Sequence, residues 1–243
     1  MLLLGHRGVR RGKRENTLAA FEVALKSGLD GVEFDVQQTK DGALVVYHDF
    51  ITPVGLLHER TLAELKAALP DLPTLEEVMA FARRWPRAVF NLELKSVPGF
   101  DDGRVKNLAR ALADWPGSER LLLSSFDPVA LLALKEAHPE VKTGFLYLGY
   151  DAARIPEALG FEAAHPHREL VGQKRVAELR ERGLFVVLWP ANTREEAREA
   201  VFARPDAVIG GVPEWLLEAK EELGHAEVDE QAGDVADGGD QGV

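Results

Sequence analysis

Eight β-prone segments, at residues 2–6, 31–36, 88–95, 121–126, 143–148, 162–165, 185–189 and 207–210, are each followed by a stretch of helical periodicity. This alternation limits the fold more than any other feature of the chain. Strand, helix and strand in succession make a parallel pair joined by a right-handed crossover. Eight such units in 243 residues predict a closed TIM (β/α)8 barrel, one domain spanning residues 1–224. An open doubly wound sheet is the alternative. Such a sheet usually carries a Gly-rich phosphate loop after its first strand, and Gly5-His6-Arg7-Gly8 lacks that spacing.

A ninth β-prone run, Ala43 to His48, follows the second strand too closely for a crossover. Asp41-Gly42 between the two runs is a hairpin signal. The barrel is therefore expected to carry an extra antiparallel strand after strand 2. With Asp41-Gly42 as a two-residue turn, Lys40 faces Ala43 and His48 falls opposite Asp35. Helix starts are equally legible. Asn16-Thr17 can cap the first helix, and Thr61-x-x-Glu64 and Thr74-x-x-Glu77 read as capping boxes.

Gly31-Val32-Glu33-Phe34-Asp35-Val36 places two carboxylates on one face of a strand, because side chains alternate along it. Two acids in one enclosed space repel and are costly to bury without a partner. In a barrel, catalytic groups lie at the C-terminal ends of the strands. His6 and Arg7, Glu33 and Asp35, Glu93 and Lys95, Ser124 and Ser125, His165 and His167, and Trp189 and Asn192 all fall there. Glu33, Asp35 and Glu93 form a hard-oxygen donor set suited to Mg²⁺ or Ca²⁺, more than to zinc. Arg7 and Lys95 add positive charge beside it, and the arginine fork matches phosphate oxygens. Imidazole ionises near neutrality, so His6 and His48 are the residue type suited to exchange protons. Plainer readings stand beside these. Glu33 and Asp35 would be two solvent-facing acids on an exposed strand. Glu93 and Lys95 would be a same-face salt bridge. His165 either borders the pocket or is structural in a Pro-containing strand end. Trp189 either meets substrate or packs the barrel top.

Charge narrows the partners. The chain carries −11 overall, but residues 225–243 hold six acids and no Lys or Arg. The rest, with 34 acids and 29 bases, is mildly acidic and has no basic stripe for nucleic acid. Residues 225–243 read as an acidic, disordered tail. The absence of cysteine excludes disulfides, thiolate nucleophiles and thiolate metal sites. The apolar run Met1 to Leu4 is too short for a signal peptide, and no segment reaches membrane-spanning length. The expectation is a cytoplasmic protein without stable membrane insertion that acts on a small molecule.

The ordered set Gly5-His6-Arg7-Gly8, Glu15-Asn16-Thr17, Glu33-Phe34-Asp35-Val36, Thr39-Lys40-Asp41-Gly42, Val46-Tyr47-His48-Asp49 and Asn91-Leu92-Glu93-Leu94-Lys95 resembles the glycerophosphodiester phosphodiesterase family. Thr74 to Val78, Ser124 to Phe126, and Trp189 with Asn192 extend the likeness along nearly the whole barrel. The resemblance implies hydrolysis of glycerophosphodiesters to an alcohol and sn-glycerol 3-phosphate. It implies Ca²⁺ or Mg²⁺ on Glu33, Asp35 and Glu93, and His6 and His48 as the acid/base pair. It also implies phosphate contacts from Arg7 and Lys95. Ser125, His165 and Trp189, at their strand ends, are expected on the substrate side. The neighbouring glycerol hydroxyl would attack first, through a cyclic phosphate that water then opens. Two positions depart from the family pattern: Trp189-Pro190-Ala191-Asn192 at strand seven, and Gly210-Gly211-Val212-Pro213 after the last strand, which lacks an acid. Both bear on substrate fit. The segment after His48 is short, which predicts an open pocket, modest headgroup selectivity and little apolar surface for a lipid. Activity on lipid phosphodiesters of the lysophospholipase D or phospholipase C kind, or a non-catalytic phosphometabolite-binding barrel, are the rival readings.

Overall fold

Strand β1 (Leu2–His6) pairs in parallel with β2 (Gly31–Gln38) on one side and with the last strand, β11 (Ala207–Gly210), on the other. That double pairing closes a ring. The structure, a computed structural model, describes residues 1–9, 14–97 and 99–237, with side chains through residue 227. Between β1 and β2 runs helix α1 (Leu18–Lys26). After β2 come β3 (Leu44–Val46), the two-residue strands β4 (Ile51–Thr52) and β5 (Gly55–Leu56), and helices α2 (Leu62–Ala68) and α3 (Leu75–Arg84). Strict alternation follows: β6 (Val89–Leu94), α4 (Arg104–Leu112), β7 (Leu121–Ser125), α5 (Pro128–Ala137), β8 (Lys142–Tyr147) and α6 (Ile155–Ala158). Then come β9 (Ala163–Pro166), α7 (Gln173–Glu181), β10 (Phe185–Ala191), α8 (Arg194–Phe202), β11 and α9 (Pro213–Asp237).

The ring order is β1-β11-β10-β9-β8-β7-β6-β2, and β3 hangs outside it, antiparallel to β2. This is the eight-stranded barrel with one extra strand that the alternation predicts. Thr17 caps α1, accepting from the Ala20 amide at 3.2 Å. The capping boxes at Thr61 and Thr74 form as expected, and Thr193 makes a third that starts α8. The backbone of α9 runs through Asp237, into the segment 225–243 read as the acidic tail. Residues 238–243 of the expected acidic tail lie outside the described residues.

Two apolar clusters fix which way each strand faces. Leu4, Leu122, Ala163, Val187, Ala207 and Ile209 pack together inside the ring. The alternate residues Leu3, Val32, Phe34, Phe90, Leu92, Leu123, Val186 and Val208 join the larger core under the helices. There Phe34 lies against Phe21 and Trp115, with ring centroids 5.6 and 6.4 Å apart. With Val32 and Phe34 committed outward, period-two alternation forces Glu33 and Asp35 inward. The same phase turns Asn91 and Glu93 of β6 and Ser124 of β7 inward, and Ser125 outward.

The hairpin register differs from the expected one. Val36 pairs with Val46, Gln37 with Val45 and Gln38 with Leu44, and the Thr39 amide donates to Ala43 O at 2.9 Å. The loop is therefore three residues, Lys40-Asp41-Gly42, with Gly42 left-handed at φ 84°. A three-residue loop closing on a left-handed glycine is the next most common hairpin after the two-residue turn. The slip of one residue puts Tyr47, not His48, across from Asp35: the Tyr47 amide donates to Asp35 O at 3.0 Å.

Gly31 stands where three strands converge. Its neighbours in register are Leu4 on β1 and Val89 on β6. A Cβ there would run into the Val89 carbonyl oxygen and come 2.9 Å from Leu4 Cδ2. Backbone of a closed ring has no room to yield, so Gly31→Ala is expected to lose about 3 kcal/mol of stability. Denaturant unfolding checks this, with Gly172→Ala, at an open loop position, as the control expected near wild type.

Candidate active site

Glu33, Asp35 and Glu93 each place a carboxylate oxygen within 4.8 Å of the other two. Asp35 and Glu93 sit side by side in the β2–β6 ladder, and Glu33 lies one step toward the barrel floor. Asp35 is fully buried, and Glu33 nearly so. Two cations meet them from the rim. Lys95 Nζ donates to Glu93 Oε1 at 2.9 Å and lies 3.6 Å from Asp35 Oδ1. The same-face Glu93–Lys95 salt bridge thus forms within the acidic cluster. Arg7 follows β1, with its Nε 3.3 Å from Asp35 Oδ2 and its Nη1 2.6 Å from Glu15 Oε1.

Arg7 holds a left-handed backbone, φ 53°, and so does Asn16, φ 57°. A non-glycine residue adopts that region at a cost of roughly 1–2 kcal/mol, and keeps it only where its surroundings over-determine it. Both conformers serve the acids. The Arg7 amide donates to Glu33 Oε2 at 3.0 Å, and the Asn16 amide donates to Arg7 O at 2.9 Å. Buried Asn16 then donates from Nδ2 to Asp35 Oδ2 at 2.8 Å while its Oδ1 accepts from the Asp35 amide at 3.3 Å. Glu15 and Asn16 are site residues that sequence reasoning left unassigned. Their signal was a Glu-Asn pair directly before a helix cap, which local reading explains as capping alone.

Crowding raises the acids. Burial first, then the charges of Asp35 and Glu93, hold the Glu33 carboxyl well above its usual range. Glu93 is pushed up to about 7 by burial and by Asp35, against the pull of Lys95 and Arg7. Lys95 and Arg7 are both raised: burial works to lower them, and the surrounding carboxylates outweigh it. Asp35 Oδ1 accepts no hydrogen bond among the described residues although it is buried. Three hard-oxygen donors, one with an open lone pair, facing Arg7 and Lys95 among the described residues, match the preference of a divalent cation such as Mg²⁺ or Ca²⁺.

The histidines differ in setting. His6 Nε2 lies 4.0 Å from Glu33 Oε2 at the end of β1. His48 follows the end of β3, one-third exposed, its Nδ1 2.6 Å from Asp49 Oδ1. A carboxylate accepts only, so this contact keeps the proton on Nδ1 and leaves Nε2 for chemistry.

Other expected residues fall elsewhere. Ser125 faces the helical layer: its hydroxyl donates to Leu94 O at 2.8 Å and accepts from the Asp127 amide at 3.1 Å. Its inward neighbour Ser124 accepts from Asn91 Nδ2 at 2.8 Å. His165 is wholly buried inside the ring, where burial lowers its imidazole to about 3. A neutral ring there offers no charge to a phosphate. Trp189 donates to His165 O at 2.8 Å and meets Phe126 and His167 edge-on, at 5.5 and 5.3 Å between centroids. β10 stands across the ring from β6, so this aromatic group faces the acids from the far side of the mouth.

The glycerophosphoryl diester phosphodiesterase family model matches residues 6–214. The chain is 32% identical over 234 residues to the glycerophosphodiester phosphodiesterase of Caldanaerobacter subterraneus subsp. tengcongensis, covering 89% of this chain and 96% of that protein. The structure of an Oleispira antarctica phosphodiesterase in complex with the product sn-glycerol-3-phosphate superimposes with a TM-score of 0.81 at 27% identity, covering 91% of this chain and 97% of that one. A glycerophosphodiester phosphodiesterase structure from Thermotoga maritima gives a TM-score of 0.73 at 26% identity, covering 90% and 97%.

The raised acids tie stability to pH. Glu93 titrates higher in the fold than its ordinary 4.5, so between those values the native state holds more protons than the unfolded chain. Stability without dication therefore falls as pH rises through that window, and the fall ends near pH 7. The expected loss is about 1–3 kcal/mol between about pH 5 and about pH 7. Thermal unfolding in EDTA checks it. Adding Mg²⁺ or Ca²⁺ is expected to raise Tm most at the upper end, and Glu93→Gln to flatten the decline and remove most of the metal effect.

Proposed function

Since the chain belongs to the glycerophosphoryl diester phosphodiesterase family, we propose that it hydrolyses glycerophosphodiesters to an alcohol and sn-glycerol 3-phosphate. The observation that carries this reading is the convergence of Glu33, Asp35 and Glu93 at the barrel mouth beside Arg7 and Lys95. Glu33, Asp35 and Glu93 would hold the divalent cation, Mg²⁺ or Ca²⁺. When bound, it supplies Lewis acidity and neutralises charge on a phosphoryl oxygen.

The chain's own groups do the rest. Arg7 and Lys95 present positive charge to the phosphate, and their raised proton affinity keeps both charged at any working pH. The neighbouring glycerol hydroxyl attacks phosphorus, which gains from proximity within one bound molecule. His6 and His48 divide the proton transfers: one accepts the hydroxyl proton and the other gives a proton to the departing alcohol. Water then opens the cyclic phosphate with the roles reversed. Asp49 holds the His48 ring in the tautomer that exposes Nε2.

A second reading concerns the alcohol. Exposed Ile51 and Leu56 follow His48, Phe100 follows β6, Phe126 follows β7, and Leu148 and Tyr150 follow β8. The short segment after His48 was expected to give little apolar surface, yet it contributes two of these. Exposed apolar side chains in several of the segments that follow the site-bearing strands favour a lipid phosphodiester as an additional substrate. No helix among the described residues is long and apolar enough to cross a membrane, so such a lipid would be met from its surface.

One experiment tests both readings. Alcohol release is measured from glycerophosphocholine, glycerophosphoethanolamine and lysophosphatidylcholine, with and without EDTA, for wild type and His48→Ala. The expected result is release from both glycerophosphodiesters at similar kcat/KM, abolished by EDTA and restored by Mg²⁺ or Ca²⁺. His48→Ala is expected to lose about 10²–10⁴-fold in kcat. Indifference to chelation, or full activity in the variant, overturns the mechanism. Release of choline from lysophosphatidylcholine at a comparable rate supports the lipid reading, and no release sinks it.

A further inference from the structure

We propose that Gln37 is the positioning residue for His48: its buried side-chain amide clamps the backbone on either side of the histidine and so fixes the imidazole against the acid-bearing strand. The inference rests on the reading of His48 as an acid/base group.

The β2–β3 ladder ends early. β3 is three residues long, and the last backbone rung runs from the Tyr47 amide to Asp35 O. From His48 onward the chain leaves the sheet. A side chain of β2 takes over where the ladder stops. Gln37 Nε2 lies 2.8 Å from Tyr47 O, 3.2 Å from His48 O and 2.9 Å from Asp49 O. Three consecutive carbonyls converge on one nitrogen that carries two protons, so one proton is shared. Carbonyl oxygens gathered this closely repel unless a donor sits among them. An amide NH₂ satisfies that requirement, and a carboxylate or an apolar group does not.

The geometry makes this more than loop packing. Gln37 is 1% exposed and lies two residues past Asp35, on the same face of β2 as Glu33 and Asp35. One strand thus carries the cation-site acids and the clamp. Among the described residues the His48 side chain is held by Asp49, whose own side chain is 68% exposed. That contact orients the ring but does not anchor it to the barrel, since Asp49 belongs to the same loop. Beyond the Tyr47–Asp35 rung, the Gln37 clamp links this loop back to the rigid strand among the described residues. Without it, three carbonyls seek other donors or water, and His48 shifts with its backbone. A displacement of about 1 Å in an acid/base group is enough to cost about 10²-fold in rate.

The test is a double-mutant cycle with glycerophosphocholine and saturating Mg²⁺, on Gln37→Ala, His48→Ala and the double variant. Gln37→Ala is expected to lower kcat about 10- to 100-fold with KM within about twofold, and to leave Mg²⁺ affinity by titration calorimetry unchanged. In the His48→Ala background the same change is expected to cost almost nothing further. A purely structural role would lower both backgrounds by the same factor, and that result, or an unimpaired Gln37→Ala, overturns the proposal. Gln37→Glu, which keeps shape but turns an oxygen toward the carbonyls, is expected to lose at least as much as alanine; wild-type kcat there also overturns it. If His48→Ala alone is fully active, the functional reading fails first, and the cycle separates the two failures. One measurement needs no variant: by NMR, the Gln37 side-chain amide protons of the wild-type protein are expected to be protected from solvent exchange, and free exchange refutes the clamp.

Discussion

Three carboxylates share one small space at the mouth of this barrel, and much of the surrounding structure answers that repulsion. Asp35 sits at the centre, fully buried. Isolated, such a charge would cost several kcal/mol. Arg7 and Lys95 supply charge, Asn16 supplies two hydrogen bonds, and the amide of Arg7 turns to face Glu33. The balance is still incomplete, because Glu33 and Glu93 remain raised. Acids raised in this way, close enough to share one ligand, suit the donor preference of a divalent cation.

The loop after β1 shows how backbone and site are linked. Left-handed Arg7 and Asn16 are joined by a main-chain hydrogen bond; the Arg7 amide reaches Glu33, and both side chains reach Asp35. Neither conformer is favourable by itself. Arg7 persists because its amide and its side chain both have partners on β2, and Asn16 because its amide holds Arg7 O while its side chain holds Asp35. Likewise, the hairpin leaves the sheet just after the rung opposite Asp35, and Gln37 carries the strand's hold on the backbone two residues further, to Asp49. The rim is therefore held by side chains of the same strand that carries the acids.

Much of the site was readable from residue order. Glu33 and Asp35 share a face whatever the fold, because strand alternation is a local property. The barrel followed from eight strand-helix units, and the cap signals at Thr17, Thr61 and Thr74 all formed. Misreadings came where one residue of phase mattered. Ser124 and Ser125 both sit at a strand end, and only the ring's packing, with Leu121 and Leu123 outward and Leu122 inward, decides that Ser125 turns away. His165 reads as a polar rim residue, yet its inward phase buries it where a neutral ring is favoured. Asp-Gly is compatible with two- and three-residue loops, and the difference moved His48 off the rung opposite Asp35.

By itself the sequence determined the local terms: which residues alternate, where helices start, which acids share a face, and that no thiol chemistry is possible. These depend on neighbours a few residues apart, so the chain encodes them directly. The tertiary structure alone decided which face is inside, that Asn16 reaches Asp35 from 19 positions away, that β10 looks across at β6, and that Gln37 grips the His48 loop. Those outcomes depend on ring closure and on burial. The energy of a side chain's placement is set there by groups distant in sequence, and no local pattern carries that information.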